Sequence, residues 1–363
     1  MCLDPLRRSG LFGWIIATSF ALPVSATEYT VTTIADDLEL PWSVAEMPDG
    51  SALVTEKVGR LQHIAQDGTI TAINGVPTVY YASQGGLLDV VLHPEFTDNQ
   101  TLYLSFAGGD QQQNRTTVVR ATLAEHALDN VTTILEVSRD KDTPVHYGGK
   151  LAFMADGSLL VSVGEGFSYR EEAQSLNSEL GKLLRVNDDG SIPTDNPFPD
   201  KAPRVYSYGH RNPQGLAYDA THNQIWMHEH GPKGGDELNR IDAGANYGWP
   251  AITYGLDYSG AIISPYQTAV GMEQPVIYWV PSIGPSGMAI YRGNMFPDWQ
   301  GDILIGSLID HNLRRLRMVG GSMVEQPTLL DELDLRIRDV RVFRDGSVYL
   351  TTDEGQLLRI SAK

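Results

Sequence analysis

The fold class follows from one stretch of sequence, LAFMADGSLLVSV at residues 151–163. Two apolar segments flank Asp156-Gly157. This dipeptide is a hairpin signal, because glycine supplies the positive φ that a tight turn needs. The stretch therefore predicts two antiparallel β-strands joined by a short turn.

The same pattern recurs along the chain. Apolar segments joined by a turn span residues 43–55, 88–106, 151–163, 216–227, 287–305 and 340–350, and a further short strand follows several of them. Six units of three or four strands are typical of β-propeller blades, whereas a β-sandwich does not explain the six copies. We therefore predict an all-β, six-bladed β-propeller. Residues 29–34 are expected to pair with the last blade and close the ring.

The first 26 residues have the features of a secretory signal peptide. Arg7 and Arg8 precede an apolar run at residues 11–24, and Ala26 ends a group of small residues suited to cleavage. The run is short for a membrane span, and no other long apolar run exists in the sequence. A buried helix is the alternative. We expect export to the periplasm or beyond, with residues 27–363 forming one propeller domain.

Charge and cysteine content narrow the classes of protein. The chain has a formal net charge of −18, which disfavours binding to nucleic acid or to anionic membranes. Local groups of arginine therefore need an explanation. The single cysteine, Cys2, leaves with the predicted signal peptide, so the mature chain is expected to have no disulfide.

Short polar clusters precede the first strand of five blades. They are residues 84–86, 146–149, 211–212, 282–286 and 336–339. The innermost strands of a propeller surround its axis, so these clusters are expected to meet there in a ligand site. Any one cluster is also typical of a solvated loop or a capped turn, but the repetition favours a common site.

The residue types in these clusters indicate an anionic ligand and an acid–base group. Arg211, Arg336 and Arg338 favour a ligand with several carboxylates or phosphates, since guanidinium groups bind oxyanions in pairs of hydrogen bonds. His146 can serve as a general base, or it can be a hydrogen-bonded loop imidazole. The sequence contains no nucleotide-binding glycine motif, no haem-attachment motif and no serine-hydrolase elbow.

Two segments can offer oxygen ligands to a hard cation. Gly231-Pro232 presents consecutive backbone carbonyls of the kind that calcium accepts. Glu237, with Asp236 and a carbonyl from residues 246–250, can form a second oxygen site. In the alternative interpretation, these glycines and prolines only shape turns.

These motifs resemble a known family. Residues 209–215, 231–239, 246–250 and 336–339 are similar, in the same order, to the soluble pyrroloquinoline-quinone-dependent aldose sugar dehydrogenases, the glucose/sorbosone dehydrogenase family. The resemblance covers essentially the whole mature chain. It implies a six-bladed propeller, an aldose substrate, an external electron acceptor and two cofactors, namely the planar tricarboxylate quinone and Ca²⁺.

The resemblance also implies roles for individual residues. His146 matches the base that takes the proton of the anomeric hydroxyl as hydride passes to the quinone. Arg211 matches the arginine beside the quinone carbonyl, which implies both a catalytic and a cofactor-binding role. The other implied roles are cofactor contact for Asn212, Tyr258, Arg336 and Arg338, substrate contact for Gln84, and calcium binding for Gly231, Pro232, Glu237 and Tyr247.

The chain departs from the family pattern at two positions. Val145 stands where well-known members have an aspartate before the histidine, which removes a sugar contact and puts the preference for glucose in question. Ile309 stands where members have a lysine that binds the cofactor. His311 is close enough in sequence to be expected to substitute for that lysine.

Two other functions are compatible with a propeller of this kind. A calcium-dependent hydrolase such as a lactonase would favour acidic or amide side chains on the axial calcium, instead of backbone carbonyls flanked by arginines. A non-catalytic carbohydrate-binding or scaffold propeller would not need His146, Arg336 and Arg338 together.

Overall fold

The structure, a computed structural model, describes residue 1 and residues 28–363. Apart from Met1, the predicted signal peptide (residues 1–26) lies outside the described residues. Among the helices of the described part, none is both long and apolar enough to cross a membrane.

The described residues form six antiparallel sheets of four strands each, which confirms the predicted six-bladed β-propeller. The first strand is β1 (Tyr29–Ala35). Blade one contains β2 (Pro41–Glu46), β3 (Ala52–Glu56), β4 (Arg60–Ile64) and β5 (Ile70–Ile73). Blade two contains β6 (Leu87–Leu92), β7 (Thr101–Gly109), β8 (Asn114–Ala124) and β9 (Ala127–Glu136). Blade three contains β10 (Gly148–Phe153), β11 (Leu159–Val163), β12 (Lys182–Val186) and β13 (Val205–Tyr208).

The second half of the chain repeats this arrangement. Blade four contains β14 (Pro213–Asp219), β15 (Gln224–Glu229), β16 (Asp236–Ile241) and β17 (Ile277–Trp279). Blade five contains β18 (Pro285–Ile290), β19 (Ile303–Ser307), β20 (Leu313–Val319) and β21 (Ser322–Glu325). Blade six contains β22 (Ile337–Val342), β23 (Val348–Thr352) and β24 (Leu357–Ala362). The helical segments described are short: α1 (Phe96–Asn99) and the 3₁₀ turns Arg170–Gln174, Pro297–Trp299 and Asp331–Leu333.

The two ends of the described propeller close the ring together. Strand β1 pairs antiparallel with β24, from Tyr29 opposite Ala362 to Ala35 opposite Leu357. The N-terminal strand is therefore the outermost strand of blade six, as the sequence predicts. Closure of this kind satisfies the backbone groups on one edge of the last sheet.

The Asp-Gly-Ser turns explain why the blade hairpins form where they do. In blade three, Gly157 has φ +81°, and the Ser158 hydroxyl donates to Asp156 Oδ1 at 2.6 Å. Arg185 of the next strand then donates from Nε to Ser158 Oγ at 2.8 Å. The same Asp-to-Ser hydrogen bonds occur at residues 49–51 and 345–347.

The core lies between neighbouring blades, but the axis itself is polar. Clusters of buried apolar side chains join each pair of adjacent sheets, for example Tyr103 of blade two with Leu151 and Leu184 of blade three. Strands β2, β6, β10, β14, β18 and β22 contact one another around the axis. Their buried side chains include Lys150, whose Nζ lies 2.8 Å from Asp339 Oδ1. This ion pair ties blade three to blade six across the ring.

Candidate functional site

A cavity of about 610 Å³ is lined by residues of every blade or of the loops that lead into it. Its size is in the range of small-molecule and cofactor sites. The predicted site residues that line it are Gln84, Asn212, Gly231, Pro232, Tyr258, Arg336 and Arg338. All five polar clusters predicted from the blade repeat therefore contribute to one cavity, since Tyr147, Gly148, Ser282 and Gly284 line it as well.

His146 lies beside this cavity, and hydrogen bonds hold both its backbone N–H and its imidazole ring. Its backbone N–H donates to Gln84 Oε1 at 2.8 Å, and its Nδ1 lies 2.8 Å from Glu165 Oε1. The backbone takes a left-handed conformation, with φ +52°. The ring of Phe167 packs edge-on at 5.3 Å. Its sequence neighbour Tyr147 lines the cavity directly.

The surroundings of His146 favour a neutral imidazole. Burial lowers the pKa of His146 well below its usual value, and the charge of Arg211 adds to the effect. If Nδ1 carries the proton and donates to Glu165, the lone pair of Nε2 is left to accept a proton. The geometry is therefore that of a general base with an orienting carboxylate.

Glu165 was not predicted from the sequence. It lies two residues after the end of the apolar strand β11, between Gly164 and Gly166. A Cβ atom at position 164 would lie 2.3 Å from the carbonyl oxygen of His146, so glycine is required for this close approach. An acidic residue between two glycines after a buried strand was the only signal available. Burial raises the pKa of Glu165 to about 7.

Arg211 connects the cavity to the segment predicted to bind calcium. Its guanidinium NH1 donates to the carbonyls of His230 at 3.0 Å and Gly231 at 2.7 Å. The guanidinium carbon lies 5.9 Å from the ring centre of Tyr258, and its Nε has no hydrogen-bond partner in the described part of the chain. A carbonyl oxygen has two lone pairs, so Gly231 can still offer one to a cation.

The Gly231-Pro232 segment is held by Asp236. Asp236 Oδ1 accepts from the Gly231 N–H, and Oδ2 accepts from the Ile283 and Gly284 N–H groups, each at 2.8 Å. A Cβ on Gly231 would lie 2.3 Å from backbone oxygens of Gly234 and Gly235. Both Asp236 oxygens bind this loop, and the participation of Asp236 with Glu237 in one oxygen site stays a prediction.

Glu237 and Tyr247 lie together at a second, much smaller cavity of about 10 Å³. Glu229 lines the same cavity. Burial, and then the charges of Glu229 and Asp236, raise the pKa of Glu237 to about 8. Its one side-chain hydrogen bond in the described structure is a 3.4 Å contact from Asn239. A carboxyl group beside Glu229 with so few protein partners is therefore a candidate ligand for a cation.

Arg336 and Arg338 share one carboxylate, which the sequence analysis also missed. Asp353 accepts from Arg336 Nε at 2.9 Å and from Arg338 Nε at 2.8 Å. Arg336 NH1 also donates to the carbonyl of Leu308 at 2.6 Å. Two guanidinium groups on one carboxylate leave this wall of the cavity with a positive charge.

Ile309, which stands at the position of the family's lysine, and His311, which was expected to replace that lysine, have different surroundings in the structure. Ile309 lines the cavity and is 56% exposed. His311 does not line it, because its Nδ1 pairs with Asp334 Oδ1 at 2.7 Å on the far side of the turn. The expectation that His311 substitutes for the lysine is therefore not supported by its position.

Two further cavity residues, His230 and Lys57, were not identified from the sequence. His230 lines both cavities, and its Nε2 lies 2.7 Å from the carbonyl oxygen of Pro285. Lys57, at the turn after β3, lines the main cavity. Neither belongs to the polar clusters that precede the inner strands, which is why the blade repeat did not point to them.

Three comparisons place the chain among known proteins. Residues 38–359 match the family model described as glucose/sorbosone dehydrogenase. The aldose sugar dehydrogenase YliI of Escherichia coli (strain K12) is 40% identical over 370 residues, which cover 98% of this chain and 99% of the relative.

Solved structures show the same architecture. The soluble aldose sugar dehydrogenase from Escherichia coli in the apo-form has a TM-score of 0.88 and 38% identity, covering 92% of this chain and 100% of that chain. The PQQ-bound form of aldose sugar dehydrogenase from Streptomyces coelicolor has a TM-score of 0.77 and 28% identity, covering 93% and 99%.

Proposed function

The chain belongs to the glucose/sorbosone dehydrogenase family, and from that membership we propose that it oxidises aldose sugars at the anomeric hydroxyl to lactones. Its cofactors in this proposal are pyrroloquinoline quinone and Ca²⁺, and the electrons leave to an external acceptor. The observation that carries the proposal is the buried His146–Glu165 pair beside a cation-lined cavity. The quinone, when bound, supplies the hydride acceptor.

His146 takes the hydroxyl proton in this proposal. Its low pKa keeps the imidazole neutral at working pH, and the Nδ1–H bond to Glu165 leaves Nε2 to accept the proton. After proton transfer, the imidazolium lies next to the Glu165 carboxylate, which stabilises the new positive charge. Gln84 accepts the His146 N–H and lines the cavity, which supports the proposal that it contacts the sugar.

The cavity fits a planar polycarboxylate. Arg336 and Arg338 offer donors that Asp353 does not use, since one carboxylate cannot satisfy two guanidinium groups. Tyr258 provides a flat, 60% exposed ring at the same cavity, and Asn212 adds an amide. The carboxylates of pyrroloquinoline quinone are the kind of group that this wall binds.

The donor sets also fit calcium, although no group of three or more acidic, histidine or cysteine side chains that could hold a metal occurs in the described residues. Calcium accepts backbone carbonyls, so Gly231 and Pro232 would hold an axial ion. Glu237, a buried carboxyl whose pKa is raised, and Tyr247 would hold a second, structural ion. An axial set of carbonyls is less suited to the lactonase alternative, which favours acidic ligands.

We further propose that residues 1–26 direct export, so that the reaction takes place in the periplasm or outside the cell. This placement rests on the sequence pattern alone.

Dye reduction tests the proposed function directly. Purified apoprotein is loaded with the quinone and Ca²⁺, and aldose-dependent reduction of an artificial electron acceptor is followed. We expect activity that needs all three components and that falls strongly in His146→Gln. Quinone binding without any turnover of a broad panel of aldoses would contradict the proposed reaction.

A further inference from the structure

Lys57 is a half-buried lysine on the wall of the main cavity. It follows the end of β3, so its position is set by the blade-one hairpin. Its ammonium donates to the carbonyl of Ser83 at 2.7 Å. In the described part of the chain, no carboxylate lies within ion-pair distance of it, so its charge is left without a counter-ion.

The wall around Lys57 carries more positive than negative charge. Arg336 and Arg338 line the same cavity, and both are paired with the single carboxylate of Asp353. Burial lowers the pKa of Lys57, the charge of Arg338 lowers it further, and the charge of Asp353 opposes this. Three cations and one anion therefore face one region of the cavity in a chain whose formal net charge is −18.

The other acidic residue that lines the cavity does not compensate this charge. Asp236 accepts hydrogen bonds on both carboxylate oxygens from the backbone of residues 231, 283 and 284. The excess of positive charge in this region therefore suits an anionic ligand. Holding several cations together without one is unfavourable, and the binding of carboxylates relieves the repulsion.

Other basic residues are less suited to the missing lysine's role. His311 pairs with Asp334 outside the cavity, and Lys150 pairs with Asp339 on the axis. Lys233 lines the cavity, but its side chain is exposed. Lys57 alone among these combines a position in the cavity, partial burial and a charge without a carboxylate partner.

We infer that Lys57 binds a carboxylate of the quinone and supplies, from blade one, the cation that the family places at the position of Ile309. This inference rests on the proposed function. It names a cofactor-binding residue in a different blade from the family's lysine, reached through a different loop. The ammonium would then bridge Ser83 and the ligand, so its hydrogen bond to the protein is kept.

Titration of calcium-loaded apoprotein with pyrroloquinoline quinone, followed by calorimetry, tests the inference without any turnover. A charge-assisted hydrogen bond is worth enough that Lys57→Met should weaken binding roughly ten- to a hundredfold. Lys57→Gln keeps an N–H donor for Ser83 and loses the charge, so it should weaken binding similarly. Lys57→Arg should bind within a few-fold of the wild type.

The matched control is Lys201→Met, which removes one exposed lysine in the blade-three loop. This control should bind the quinone like the wild type. The difference in quinone affinity between Lys57→Met and the wild type should shrink as the NaCl concentration is raised, because salt screens the lost interaction. Thermal melts of the quinone-free variants identify any misfolded protein, and Lys57→Gln then decides the question.

Two negative results have different meanings. Wild-type binding together with unchanged affinity in both Lys57→Met and Lys57→Gln overturns the inference and leaves the proposed function standing. Absence of quinone binding by the wild type overturns the proposed function, and the inference falls with it.

Discussion

Replacing Glu165 with glutamine should slow sugar oxidation by removing the charge that faces His146. Glu165 Oε1 lies 2.8 Å from His146 Nδ1, and both side chains are buried. Once Nε2 has taken a proton, a carboxylate offers the imidazolium a charge-assisted hydrogen bond, whereas an amide offers a neutral acceptor. The difference is about 1–2 kcal/mol, so kcat/KM should fall roughly five- to thirtyfold.

The pH profile separates this role from a merely structural one. Burial raises the pKa of Glu165 to about 7, whereas burial and the charge of Arg211 lower that of His146. Wild-type kcat/KM should therefore fall as the pH drops through about 7, because Glu165 becomes protonated while His146 stays neutral. Glu165→Gln lacks this carboxyl, so in dye-reduction assays it should lose the fall in kcat/KM that Glu165 causes. Lys141, whose pKa burial lowers to about 7 and whose charge acts on His146, is the same in wild type and variant.

The same substitution should stabilise the apoprotein at alkaline pH. Because its folded-state pKa lies above the unfolded value, Glu165 binds more protons in the folded chain, and stability falls as the pH rises from about 4.5 to about 7. This pKa change corresponds to at most roughly 3 kcal/mol. Glu165→Gln should thus raise Tm at pH 8 and leave it unchanged at pH 4.

The control is Glu171→Gln, which removes a carboxylate that is 84% exposed six residues further along the chain. It should leave both the rate and the pH profile unchanged. Our interpretation would be refuted if Glu165→Gln kept both the wild-type kcat/KM and its fall as the pH drops through about 7.

Three further predictions follow from the site. His146→Gln should lower turnover about 10²–10⁴-fold while quinone binding, measured by calorimetry, changes little; full activity would remove the base from the proposed mechanism. Calcium should raise Tm more at pH 9 than at pH 7, because the Glu237 pKa of about 8 leaves that carboxyl protonated at neutral pH and calcium must displace the proton. Glu237→Ala should abolish this calcium-dependent gain in Tm. Equal melting of variant and wild type, both in calcium and in chelator, would exclude the second ion. In the double variant, Ile309→Lys should restore much of the quinone affinity lost in Lys57→Met, since position 309 lines the same cavity. A double variant that binds as weakly as Lys57→Met alone would show that position 309 is out of reach of the quinone carboxylates.

The propeller was predictable because its signals are local. Gly157 takes the positive φ that an Asp-Gly turn requires, and the apolar segments on either side of it become strands β10 and β11. Closure by residues 29–34 was predictable as well, because a ring of repeated sheets needs one strand from the far end of the chain to complete its last blade.

Much of the candidate site could be located for the same reason. Polar residues that precede each inner strand must approach the axis once the blades are known, and Gln84, Asn212 and Arg338 line one cavity as expected. His311 shows the limit of this argument. It lies two residues from Ile309, yet the turn directs its ring to Asp334 and away from the cavity.

The sequence by itself thus determined the strands, the turns, the number of blades and which loops face the axis, since each depends on residues close together in the chain. Only the tertiary structure decided which charges meet. Lys150 of blade three pairs with Asp339 of blade six, and the charge of Lys57 of blade one interacts with Arg338 and Asp353 of blade six. These contacts depend on how separate blades are set around the ring, and that geometry comes from the packing of whole sheets against one another.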